Sequence, residues 1–189
     1  MKRILLAGLL AGLAMYVWSS IAHIALPLGE VGVKEIANEQ PVLSALAANL
    51  TQPGFYIYPG MAGDKDMQRY AAKLKSNPSG ILIYHPAGAS GLTPAMLIIE
   101  LLTEIAVSIL AVWLLAQTRI ATYRGRVVFV SAVGLTAAIM TNIQYWNFYG
   151  FPANYTINYM FIQLVGFIVA GLVAAKMIKT GETARSAAA

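Results

Sequence analysis

Four long apolar runs constrain this chain more than any other feature. They cover residues 4–26, 92–117, 127–148 and 155–178. A helix needs about 20 apolar residues to cross the hydrocarbon core of a bilayer, and each run is long enough. The sequence therefore predicts an all-α bundle of four transmembrane helices, with both termini on the same side of the membrane.

The composition agrees with a membrane location. The chain has 189 residues, of which 58% are hydrophobic and 11% are charged. Soluble domains carry about 25% charged residues, so the apolar excess points to lipid contact. The net charge of +5 does not indicate nucleic acid, because the basic residues flank the apolar runs. We expect the lipid bilayer, and not nucleic acid, as a partner.

The distribution of basic residues predicts the orientation. If all four runs span, 8 of the 13 Lys and Arg residues share one side of the membrane: Lys2, Arg3, Arg119, Arg124, Arg126, Lys176, Lys179 and Arg185. On the opposite side, residues 27–91 carry five basic and five acidic residues, and residues 149–154 carry none. The positive-inside rule then places both termini in the cytoplasm.

The first run has a second interpretation. Lys2 and Arg3, an apolar stretch and small residues near Ala22 also form the pattern of a cleavable signal peptide. The apolar stretch is longer than a signal peptide needs and contains Tyr16 and Trp18. These features favour a retained transmembrane helix.

The segment between the first two runs predicts a small α/β cap outside the cytoplasm. Turn residues divide it into helices at 34–50 and 64–76 and strands at 55–58 and 81–84. We expect the strands to pair in parallel, with the second helix as the crossover. The predicted organisation is transmembrane helix 1 (1–26), extracytoplasmic cap (27–91), transmembrane helices 2–4 (92–178) and cytoplasmic tail (179–189).

Two acidic residues lie inside the second apolar run. Glu100 and Glu104 are four residues apart, so they share one helix face. At 1.5 Å per residue they lie about 9 and 15 Å below Pro94, and Glu104 is near the midplane. An ionised carboxylate there costs roughly 2.5–3.5 kcal/mol by insertion scales. Both are therefore expected to face the bundle interior, with at least one holding a proton.

Polar residues in the other runs are candidate partners for this pair. They lie in the outer half of the predicted membrane and, together with Glu100 and Glu104, would line a polar pocket: Tyr16, Ser20, His23, Asn142, Tyr145, Tyr159 and Gln163. Three interpretations stay open. The pocket is a hydrogen-bonded network that holds the helices together, a proton or small-ligand site at the two carboxyl groups, or a metal site of Glu100, Glu104 and His23.

No sequence signature points to catalysis or to a cofactor. The chain has no cysteine, which removes disulfides and thiol chemistry. No Ser, His and Asp follow the spacing of a known hydrolase. The sequence therefore favours a protein that is not an enzyme.

Several segments resemble a known family. They are QYWNFYGFPANYTINYMFIQLVGFIVAG near the C-terminus and, between the first two runs, ALPLGEVG, NEQPVLSAL, GFYIYPG and PSGILIYHPAG. The chain is similar here to a family of small four-span bacterial inner-membrane proteins with no established activity. The resemblance implies a bacterial inner-membrane location and carries no catalytic residues.

Two functions remain as expectations. The first is an integral membrane accessory subunit or envelope sensor and scaffold, without catalysis of its own, that binds other membrane protein subunits or a second copy of itself. The alternative is a small proton- or ion-coupled transporter built around Glu100 and Glu104.

Overall fold

The computed structural model describes residues 1–61, 66–89 and 91–178. In chain order the elements are α1 (Lys2–Ser20), α2 (Glu39–Asn49), β1 (Gly54–Tyr58), α3 (Met67–Ser76), β2 (Gly80–Tyr84), α4 (Pro94–Ala116), α5 (Tyr123–Tyr149) and α6 (Ala153–Met177). A π-helical turn, Ile21–Ala25, extends α1. The predicted tail 179–189 lies outside the described residues.

The chain divides into two compact units. The first, the helical unit, contains Met1–Val33, Leu92–Asn147 and the residues from Phe151 onward. The second, the sheet unit, contains Lys34–Gly91 together with Phe148–Gly150.

The helical unit contains four helices that are long and apolar enough to cross a membrane. They are Lys2–Ala25, Pro94–Ala116, Tyr123–Tyr149 and Ala153–Met177. The 23 residues of α4 give a length of about 35 Å, against about 30 Å for a hydrocarbon core. Its start is defined by Thr93, whose side chain accepts a hydrogen bond from the Met96 backbone at 3.3 Å, followed by Pro94 in the first turn.

Small residues set the packing of the four helices. Gly8 and Gly12 of α1 lie directly against the backbone of α4. On α6, Gly166 faces Met15 of α1, and Gly171 faces Val127 of α5. Helices pack this closely in membranes where one partner lacks a side chain. The buried core joins all four helices: Ile4, Ala7, Ala11, Met15, Ala111, Val112, Leu115, Val130, Phe167, Ala170, Ala174 and Ile178.

The sheet unit has the two predicted strands, but their direction differs from the prediction. β1 and β2 pair antiparallel, with Gly54 opposite Tyr84 and Tyr58 opposite Gly80. The expected parallel pairing is wrong because the connection leaves β1 and re-enters β2 at the same end of the sheet, so α3 is not a crossover. Both helices are shorter than predicted, and the start predicted at residue 64 falls outside the described residues.

The ends of α3 follow ordinary helix chemistry. Asp66 accepts hydrogen bonds from the backbone of Gln68 at 2.9 Å and of Arg69 at 3.3 Å. Lys73 and Lys75 occupy the last turn, where cations complement the helix dipole. The polar composition of this segment is therefore explained by an exposed, capped helix.

Candidate functional site

Glu104 is the buried acidic residue of the helical unit. Only 8% of its surface is exposed, and it borders the contact of α4 with Gly12. One turn further along α4, the buried Ser108 hydroxyl donates to Met15 Sδ at 3.8 Å. Glu104 Oε2 is buried and has no hydrogen-bond partner in the described part of the chain. A buried acceptor without a donor is costly, so this oxygen is the polar atom that most needs an explanation.

Glu100 does not share this environment. It is exposed on the surface of α4. The expectation that both carboxyl groups face the interior therefore holds for Glu104 alone. The two residues differ in their position relative to α1. Gly8 and Gly12 of α1 lie against Ile109 and Ile105 of α4, and Glu104 adjoins that contact while Glu100 lies one turn beyond it.

Asn142 and Gln163 form a buried polar contact between α5 and α6. The buried Asn142 amide donates to Gln163 Oε1 at 2.7 Å and to the Ala138 carbonyl at 2.9 Å. One hydrogen bond therefore joins the two side chains across α5 and α6, and in membranes such bonds can hold helices together. Neither amide bonds Glu104 Oε2.

Aromatic rings form a continuous row at one end of the helical unit. Tyr155 stacks on Tyr159 with 4.5 Å between ring centroids, and Phe151 lies 5.4 Å from Tyr155. Tyr145 continues the row at 5.5 Å from Phe151. At the end of the row that is opposite Tyr145, His23 contacts Tyr159 edge-to-face, with 6.0 Å between the ring centroids.

His23, Ser20 and Tyr16 are bonded within α1 and its π-helical extension. His23 Nδ1 lies 2.9 Å from the Ser19 carbonyl, so this nitrogen carries the donated proton. The Ser20 hydroxyl donates to the Tyr16 carbonyl at 2.9 Å. The hydroxyl of Ser20 is thus occupied by its own helix and adds no link to the other helices.

The predicted pocket residues therefore do not form one group. Glu100 is exposed on α4, and Tyr16 and Ser20 lie on α1. The other six lie in three places. Glu104 lies at the contact of α1 and α4, Asn142 and Gln163 lie between α5 and α6, and His23, Tyr159 and Tyr145 belong to the aromatic row. Within residues 1–61, 66–89 and 91–178, no three His, Cys, Asp or Glu side chains lie close enough to hold a metal ion. The metal interpretation of Glu100, Glu104 and His23 is therefore not supported.

Several interhelical hydrogen bonds do not follow from the sequence predictions, and one of them involves Trp18. Trp18 Nε1 of α1 donates to the Ile162 carbonyl of α6 at 2.9 Å. The signal was present, because Trp18 continues the helical stripe of Ala7, Ala11 and Met15 that packs in the core. In the sequence, Trp18 favours a retained helix over a signal peptide. Its position on this stripe also predicts a contact with another helix.

Four membrane-length helices around a small-residue core define a multi-pass α-helical membrane protein as the class. No protein family, no curated protein and no solved structure matches this chain.

Proposed function

We propose that this protein is an accessory subunit or scaffold of the bacterial inner membrane that binds another membrane protein through α4 and catalyses no reaction itself. Its termini would be cytoplasmic and the sheet unit extracytoplasmic. The observation that carries the proposal is the exposure of Glu100 on a helix whose other exposed side chains are almost all apolar.

The surroundings of Glu100 make this exposure costly in lipid. Exposed apolar side chains flank it on the same part of α4, including Met96, Leu97 and Ile99. Acidic residues within transmembrane helices almost always face protein or water and are paired there. A helix of another subunit that carries a hydrogen-bond donor would remove Glu100 from lipid and satisfy the carboxyl group.

A second sequence pattern suited to partner binding, the glycine pair of α1, is already occupied by a contact within the chain. Gly8 and Gly12 form a G-x-x-x-G pair, which often marks a dimerisation surface. Here α4 of the same chain covers both glycines. This leaves the exposed part of α4 around Glu100 as the favoured surface for a partner helix.

The proposal is tested by purification in mild detergent with the Glu100→Leu variant. We expect the stoichiometric partner, or the second copy, to be recovered at least tenfold less with Glu100→Leu than with the native chain. The stability of the isolated chain should hold or rise, because an apolar side chain suits a lipid-facing position. Ile99→Leu, a change at the neighbouring position, is the matched control. Equal recovery with Glu100→Leu and Ile99→Leu would refute the proposal.

A second function is favoured by one observation, the unpartnered Glu104 Oε2. A buried carboxyl oxygen without a donor has the chemistry of a proton- or ion-carrying group in a small coupled transporter. Purified protein in liposomes loaded with a pH-sensitive dye tests this. The accessory function predicts no proton flux above that of empty liposomes, whereas a transporter would show a flux that Glu104→Gln abolishes.

A further inference from the structure

One face of the two-stranded sheet is apolar and uncovered. The antiparallel register places Phe55 opposite Ile83 and Ile57 opposite Ile81, so these four side chains share one face. Phe55 is 54% exposed, Ile57 53% and Ile83 66%, and Ile81 is half-buried. Contiguous exposed apolar side chains on one surface mark an interaction site more often than scattered ones do.

The opposite face of the sheet has a partner within the same unit. Leu82 and Tyr84 line a groove with Leu43, Leu46 and Ala47 of α2, and Ile83, which lies between them in β2, borders the same groove. Tyr56 and Tyr84 also meet edge-on on this face, with ring centroids 6.4 Å apart. Because α2 lies on this side, the face of Phe55, Ile57, Ile81 and Ile83 is the one left open.

We propose that this open face lies in the interfacial layer of the lipid bilayer, where it buries its apolar side chains beside the headgroups. Two observations select lipid as the occupant. The first is continuity with a membrane-length helix: Phe55 meets the ring of Tyr149 edge-on at 6.0 Å, and Tyr149 is the last residue of α5. The adjoining Phe148 is 76% exposed, so the apolar surface extends to the helix end.

The second observation is the length of the connection to the next membrane helix. Gly91 belongs to the sheet unit, and α4 begins at Pro94. Only Leu92 and Thr93 lie between these two residues, so the covalent connection spans at most about 10 Å. Tyr149 is suited to this layer because its ring is apolar and its hydroxyl is polar, and Phe55 and Phe148 add apolar area beside it. The inference does not depend on partner binding by α4.

The absence of cysteine from the chain allows a direct test in the full-length protein. Ile83→Cys is labelled with the fluorophore bimane and reconstituted in phosphatidylcholine liposomes that carry a nitroxide at the top of the acyl chain. We expect the nitroxide lipid to quench this fluorophore at least twofold more than the fluorophore on Ser44→Cys, an exposed position on α2. Bimane on Ile57→Cys, which lies on the same face as Ile83, should be quenched to the same extent as bimane on Ile83→Cys. Agreement between the two variants excludes a local defect in one of them as the cause.

Each outcome decides the proposal. Strong lipid quenching at Ile83 and Ile57 that persists on dilution of the protein in lipid supports it. Quenching no stronger than at Ser44 overturns it, and so does a blue-shifted emission without lipid quenching. That last result would mean that protein, either a second copy or another subunit, covers the face.

Discussion

Gly12 of α1 packs directly on the backbone of Ile105 in α4: a Cβ atom on Gly12 would lie 2.5 Å from Ile105 Cα. The same atom would lie 2.9 Å from the Glu104 carbonyl oxygen. One helical turn away, a Cβ on Gly8 would lie 2.6 Å from Ile109 Cα. The contact is between two backbones, so no side-chain rotation can relieve an added atom.

We therefore expect Gly12→Ala to lower the free energy of unfolding by about 1–3 kcal/mol, the usual cost of overpacking. The helix preference of alanine over glycine acts in the opposite direction, so a loss identifies the packing contact as its cause. Unfolding in a mixed detergent titration, followed by circular dichroism, measures the change.

Gly166→Ala in α6 is the control. Its added Cβ would meet the flexible Met15 side chain at 3.2 Å, and no backbone atom is among its nearest contacts. It should cost clearly less than Gly12→Ala. Equal losses for the two variants would show that the close approach of α1 to α4 is not what limits the substitution.

The sequence predicted the elements of the fold better than their pairing. Four apolar runs and the turn residues Pro53 and Pro78 located the helices and strands, because length and local chemistry determine them. Strand direction depends on where the chain returns to the sheet, which no local pattern specifies. The partner of Gly8 and Gly12 was likewise unpredictable, since the motif serves contacts within a chain and between chains equally well.

The hydrogen bond between Asn142 and Gln163 should stabilise the contact of α5 and α6 measurably. In a double-mutant cycle with Asn142→Ala and Gln163→Ala, we expect a coupling of about 0.6 kcal/mol, rising to about 1.7 kcal/mol at most. Thr141→Ala is the control, because the Thr141 hydroxyl is exposed and donates to the Ala137 carbonyl of its own helix. A coupling free energy near zero would mean that each amide side chain forms other hydrogen bonds once its partner is removed.

The orientation of the chain can be tested with single cysteines and an impermeant thiol reagent. Ser44→Cys in the sheet unit should label in intact cells, and Ala121→Cys between α4 and α5 should label only after lysis, because the basic segment Arg119–Arg126 is expected to stay cytoplasmic. Ala121 is preferred to Thr122, whose side chain accepts a hydrogen bond from the Gly125 backbone at the start of α5. The reverse labelling pattern would invert the proposed topology.

The candidate site was less predictable than the fold. Spacing correctly placed Glu100 and Glu104 on neighbouring turns, but it could not tell which of them lies under α1. That difference depends on where Gly12 of α1 packs against α4, which is a tertiary feature. Helical spacing likewise grouped Asn142, Tyr145 and Gln163 with the acidic pair, because a periodic pattern shows which residues share a face and not which helix covers it.

Glu104→Gln provides the last prediction and separates the two functions. Glutamine is close in shape to glutamate and carries no charge, so the burial cost of Glu104 should fall while the packing against Gly12 is kept. We expect the free energy of unfolding to hold or rise, by up to about 3 kcal/mol, and partner recovery to match the native chain. Glu104→Ala is the size control and should cost stability, because it leaves a void beside α1. If Glu104→Gln keeps the fold and its partner yet abolishes the cellular phenotype, the carboxyl group itself performs the function. That result would favour the transporter over the accessory subunit.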